Sequence, residues 1–193
     1  PRRLPNPVRY FGDLAAKAPV PAMKQWLETI LGEEDWQLNI HHVIYPGCKP
    51  LVSAGYEWWT EEKVVSGEIS PPHPEGPPMS VAILDRFFSV IDSVRWMPFG
   101  MAGGLFGCKP TNRLSQIEAR FPNGEVDPDK AVMLGMGLGG DCYFYTPDDL
   151  GGCVACSGKG HVIGTIEDLL EWVFSGLNSG DPPEFDYGWG DEA

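Results

Sequence analysis

The chain has 193 residues, with 27 acidic against 14 basic side chains and a formal net charge of −13. That balance excludes a nucleic-acid phosphate surface, which works through clustered lysine and arginine, and it suits a basic protein partner as well as simple solubility. With 42% apolar residues, including nine Phe, seven Trp and six Tyr, the chain can bury a core of its own as one domain spanning residues 1–193, without disulfides or a structural metal.

The first twenty residues are punctuated by proline and read as an extended arm or as a short helix around Val8 to Leu14, with Pro7 allowed in its first turn. In Pro21 to Leu31, Met23, Trp26, Leu27 and Ile30 fall on one helical face, and Gly32 follows as a stop. Alternation of Trp36, Leu38 and Ile40 predicts a strand from Trp36 to Tyr45. His41 and His42 lie side by side in it, but neighbours on a strand point to opposite faces, so they read as ordinary strand residues rather than as a pair of metal ligands.

A second strand is expected at Leu51 to Thr60, carrying Trp58 and Trp59. Residues 70–78 hold five prolines, which forbid helix and interior strand and mark a surface loop within the domain. Ser80 is placed to cap a helix reaching Val94, with Ile83, Leu84, Phe87, Phe88, Ile91 and Val94 in helical period. Glycines 100, 103, 104 and 107 then read as turns joining strands, and Pro122-Asn123-Gly124 as a tight turn.

From Ala131 to Leu177 the order expected is strand, Gly-rich turn, strand, acidic turn, strand and amphipathic helix. The helix opens on Thr165 with Asp168, a capping-box pattern, and Ile166, Leu169, Leu170, Val173, Phe174 and Leu177 form its apolar face. Residues 181–193 mix acidic and aromatic side chains, including Trp189, in an expected flexible tail. No run of about eighteen apolar residues occurs, so no membrane-spanning helix is expected.

Motifs that could carry chemistry occur singly. Gly135, Gly137 and Gly140 have the G-x-G-x-x-G spacing, but the dinucleotide fingerprint requires a helix to open there, and Asp141 to Thr146 reads as a strand. Cys153-Val-Ala-Cys156-Ser-Gly-Lys-Gly resembles the zinc-binding repeat of DnaJ-type chaperones, yet offers two of four ligands and has no second pair to close the site. A redox dithiol would need the first cysteine at a helix start. The five cysteines, an odd number, read as reduced thiols and give a cytoplasmic expectation; the start at Pro1 leaves open a targeting segment upstream. Acidic pairs such as Asp148-Asp149 sit in turn contexts, where carboxylates bond local backbone.

The Gly140-Asp141-Cys-Tyr-Phe-Tyr strand, the turn at Pro147 to Gly152, the strand from Cys153 and the segment Ile163 to Val173 together resemble the C-terminal half of the SUKH superfamily. That superfamily includes bacterial toxin-immunity proteins and a yeast regulator of cell-wall synthesis. Gly140-Asp141 matches its Gly-Asp-aromatic strand, and Thr165-Ile166 with Leu169-Leu170 its last helix. The front half departs from the family pattern: only Leu4-Pro5 before Tyr10-Phe11 comes near its early Leu-Pro signal. The resemblance implies an α+β domain that binds protein without catalysis.

The expected fold is therefore a single α+β domain, a mainly antiparallel sheet flanked by helices. The expected function is a non-catalytic protein-binding module, an inhibitor covering a basic toxin or nuclease, without cofactor. Trp58, Trp59, Asp148, Asp149 and Trp189 are the candidate contacts, since aromatic residues anchor interfaces and acids steer association. Two alternatives stand beside it: a zinc-stabilised module built on Cys153 and Cys156, and a hydrolase using paired carboxylates.

Overall fold

The structure, a computed structural model, describes residues 6–32, 36–43, 51–60, 65–72, 81–98, 103–105, 126–137, 140–156 and 159–179. The sequence-based expectations for the loop at 73–78, Ser80, Pro122 to Gly124 and the tail at 181–193 fall outside these residues. Two helices come first, α1 (Pro7–Ala15) and α2 (Pro21–Ile30), each with proline in its first turn, where the missing N–H has no intrahelical role. Asn6 caps α1 by accepting from the Arg9 amide at 3.3 Å. Strands β1 (Gln37–Val43), β2 (Leu51–Thr60) and β3 (Val65–Ser70) lead to α3 (Ala82–Val90). There follow β4 (Ser93–Pro98), β5 (Gly103–Leu105), β6 (Val132–Met136), β7 (Cys142–Thr146), β8 (Gly151–Cys156), β9 (Lys159–Thr165) and the last helix, α4 (Ile166–Ser179).

Among the described residues nine strands form one sheet in sequential order, and each of their pairings is antiparallel. This is the α+β architecture with an antiparallel sheet that the sequence predicts, drawn as a meander. Alternation along the strands separates two faces. One face, with Tyr56, Trp58, Ile69, Val94, Trp96, Leu105, Leu134, Tyr143, Tyr145 and Val154, shares its core with the buried residues of α1, α2, α3 and α4. The opposite face carries a second cluster of Val126, Ala131, Met133, Cys142, Phe144, Cys153 and Ala155.

The helix layer is tied across the length of the chain. In the first turn of α2, the Ala22 amide donates to Glu171 Oε2 at 3.0 Å, and its carbonyl accepts from Asn178 Nδ2 at 2.9 Å, so α4 grips both polar groups of one residue. Beneath this layer Trp58 lies over Gly67, where a β-carbon would overlap the indole ring and the Arg95 carbonyl. Glycine is required there by close approach, not by a turn.

Three elements differ from expectation. The helix predicted to reach Val94 stops at Val90: Ile91 is extended, and Val94 and Trp96 enter β4, pairing with Ile69 and Gly67. A helical period of apolar residues ran into a strand with its own alternation, and β-branched Val94 and aromatic Trp96 favour the pleated surface they pack on. Strand β3, with glycine and glutamate in its middle, has no apolar run to announce it. Strand β9 inserts a fourth strand into the segment read as three; its glycines at 160 and 164 dilute the pattern. Elsewhere agreement is close, and β2 spans Leu51 to Thr60 as predicted. Gly135 lies within β6, which pairs antiparallel with β7, and the Gly137 amide donates to the Asp141 carbonyl at 2.7 Å, just ahead of β7.

Candidate functional site

The turn between β7 and β8 is built from Thr146-Pro-Asp-Asp-Leu-Gly151. Proline at 147 and the short acidic side chains favour a turn, and Thr146, Asp149 and the Gly151 amide bond to one another within it. Thr146, 8% exposed, donates its hydroxyl to Asp149 Oδ1 and accepts from the Gly151 amide at 3.0 Å. The same amide lies 3.1 Å from Asp149 Oδ1. Leu150 adopts the left-handed conformation, with φ 57°, which is uncommon for a residue with a β-carbon. Its carbonyl accepts from the Ile166 amide at 2.8 Å, so the turn is fastened to the start of α4.

The two aspartates differ. Asp148, with 70% of its side chain exposed, holds Lys130 Nζ at 2.7 Å, and the same ammonium lies 3.9 Å from Asp127. The hydrogen bond with Asp148 raises the Lys130 pKa, and the charges of Asp148 and Asp127 add to it. Asp149 has its pKa lowered, chiefly by the Thr146 hydroxyl and next by the Gly151 amide; both stabilise the carboxylate form. The Asp149 environment does not suit a general acid at neutral pH, which needs a raised carboxyl pKa.

Beside the turn, on the face of the sheet away from the helices, lies a half-open cavity of about 440 Å³. Val126, Val162, Cys153 and the glycines 151 and 152 line it, with Thr146 and Asp149 as its polar members. Cys153 is 1% exposed, and burial pushes its thiol up to about 12, with the Asp149 charge adding to the effect. A neutral buried thiol is a small apolar wall; metal ligation needs the thiolate. Cys156 belongs to β8, but its side chain is outside the described residues. Among the described residues no group of three or more His, Cys, Asp or Glu side chains is placed to hold a metal ion.

Trp58 lies elsewhere. Trp58 is 1% exposed, with its ring centroid 5.4 Å from Trp26 and 5.9 Å from Trp36, so a partner reaches it only if the helix layer lifts. Trp59 is the next residue of β2, and its side chain lies outside the described residues, as does Trp189. β2 stands five strands away from β7, so the structure does not bring Trp58 together with Asp148 and Asp149.

Sequence reasoning missed Thr146 and Lys130. The Thr-Pro-Asp-Asp order carries a signal for the first, because threonine before such a turn bonds its own loop. Lys130 is eighteen residues from Asp148 and carries no local signal.

On the second face of β2 to β4, Glu57, Glu68 and Arg95 stand in register, with Arg95 4.0 Å from Glu68. Among the described residues no helix is long and apolar enough to cross a membrane. Comparison with family models, with curated proteins and with solved structures gives no match.

Proposed function

We propose that this chain is a non-catalytic protein-binding module of the SUKH type, an inhibitor that covers a basic surface of a toxin or nuclease. The observation that carries this reading is the β7–β8 turn. It raises exposed carboxylates on a hairpin whose strands are anchored in both cores, and its own hydrogen bonds keep Asp149 ionised. Carboxylates held rigidly in this way steer and orient a positively charged partner without the entropic cost of ordering a loose loop. Part of the element order from Gly140 to α4 supports the resemblance, with a Gly-Asp lead into β7, a short turn, β8 and a helix opened by Thr165 and Asp168, although β9 stands between β8 and that helix.

Immunity proteins act on toxins encoded beside them, so co-expression with the product of each neighbouring gene tests the proposal. The expected result is rescue of growth from one toxic product and co-purification with it. A chain that rescues growth from none of them is not such an inhibitor. Asp148→Asn with Asp149→Asn is expected to slow association and reduce its salt dependence, because exposed charges act mainly on the on-rate.

A further inference from the structure

We infer that the cavity beside the β7–β8 turn receives a lysine side chain of the partner protein, with Asp149 as its counter-charge. This rests on the protein-binding reading above and names the group that the site recognises.

Charge, wall chemistry and the number of acceptor atoms available all point to lysine. Of the aspartates in the turn region, Asp148 and Asp127 stand against Lys130, at 2.7 and 3.9 Å. Asp149 is left as the carboxylate lining the cavity. Its Oδ1 is occupied by the Thr146 hydroxyl and the Gly151 amide, while Oδ2 has no side-chain partner among the described residues. The remaining walls are apolar: Val126, Val162 and the neutral thiol of Cys153, which is 1% exposed and makes no hydrogen bond among the described residues. A site with apolar walls and one anionic rim atom fits a side chain that is a hydrocarbon stem ending in a cation.

Arginine binds carboxylates best with two parallel N–H donors, which needs both oxygens. Here one oxygen is already committed to the turn. A point-charge ammonium on a four-carbon stem uses the single oxygen that is left.

The test uses N-acetyl-lysine amide titrated into the intact chain, followed by the methyl resonances of Val126 and Val162. N-acetyl-norleucine amide, with a similar stem and no charge, and N-acetyl-arginine amide serve as comparisons. Saturable binding in the millimolar range is expected for the lysine amide, weaker by about tenfold or more for norleucine, since a charge-assisted contact is lost. In Asp149→Asn the amide oxygen still accepts from Gly151, the turn persists, and lysine affinity falls by a similar factor.

Equal binding of lysine and norleucine by the unaltered chain would overturn the proposal whatever the variant does. So would tighter binding of arginine, or full lysine affinity in a folded Asp149→Asn protein. A chain that neutralises a toxin but does not bind the lysine amide removes the pocket and keeps the inhibitor. A chain that binds the amide and neutralises nothing leaves the pocket and removes the inhibitor.

Discussion

Strands β2 to β8 present two unlike surfaces. Towards the helices they show an unbroken apolar row, from Tyr56 and Trp58 through Ile69, Val94, Trp96 and Leu105 to Tyr143 and Val154. Away from the helices the intervening residues divide the sheet in two. Glu57, Glu68 and Arg95 mark β2 to β4, and Met133, Phe144, Cys153 and Ala155 mark β6 to β8. Every residue placed in the main core sends its neighbours to the other side. The residues that do not build the helix-covered core are thus free to set charge on one half of the second face and a cavity on the other. Glu68, 9% exposed, fits the first half because Arg95 faces it directly across the strand pair, an arrangement that favours opposite charges.

The largest expected effect separates the two faces by stability. Phe174 is fully buried, with its ring 5.3 Å from Trp26 and 6.3 Å from Phe87. Phe174→Ala is expected to cost about 3–5 kcal/mol in denaturant unfolding, since it removes a large side chain from the seam between helices and leaves a cavity. On the second face Cys153→Ser replaces a buried thiol with a more polar hydroxyl, at an expected cost of about 1–3 kcal/mol. A serine variant as destabilised as Phe174→Ala would mean that the small cluster is as tightly bound as the main core.

Chemical reactivity sharpens the same point. With the Cys153 thiol pushed up to about 12, roughly one molecule in ten thousand carries the thiolate at pH 8. Iodoacetamide is expected to leave Cys153 unmodified in the native protein and to alkylate it in denaturant, as read by mass spectrometry. Rapid native labelling at Cys153 would show that the second face opens readily.

A smaller effect is expected where α4 starts. Thr165 accepts from the Asp168 amide at 3.2 Å, and Asp168 Oδ2 accepts from the Thr165 amide at 2.8 Å, a reciprocal cap. Thr165→Ala is expected to cost about 1 kcal/mol, the usual worth of an N-cap, and an unchanged unfolding midpoint would dismiss the cap as a contributor.

Legibility followed periodicity. The helix faces of α2 and α4, the strand β2 and the cap at Thr165 could be read directly, because each is signalled by residue types within one short stretch of sequence. The end of α3 could not, since Ile91 and Val94 satisfy a helical and a strand reading alike and only pairing with β3 decides between them. Trp58 read as a surface anchor because a tryptophan pair in a strand does not announce which member faces the helices. In the candidate site, Asp148 and Asp149 were legible as turn residues. Their division of labour was not, because Lys130 reaches Asp148 through the fold and not through the chain. The cavity was invisible for the same reason: Val126, Cys153 and Val162 meet only when β8 and β9 pair beside the segment that carries Val126.

The smallest effect expected concerns acid. Asp149 and Asp168 both have lowered pKa values, the first through the Thr146 hydroxyl and the second through the Thr165 amide and then its hydroxyl. A carboxyl whose pKa is lower folded than unfolded contributes stability above its unfolded value, about 3.9 for aspartate, and loses it as pH falls through the folded value. The turn and the start of α4 should therefore loosen together below about pH 4, the more so because Leu150 and Ile166 are hydrogen-bonded to each other. Both groups are largely exposed, so the effect is modest. Because the chain carries 27 acidic residues, the wild-type melting curve alone does not isolate it. The difference in Tm between wild type and Asp168→Asn does: it should hold steady at neutral pH and shrink towards zero in acid, since the protonated aspartate and the asparagine are then both uncharged. A difference that stays constant into strong acid would mean that the ionised carboxylate at the cap does not support the helix.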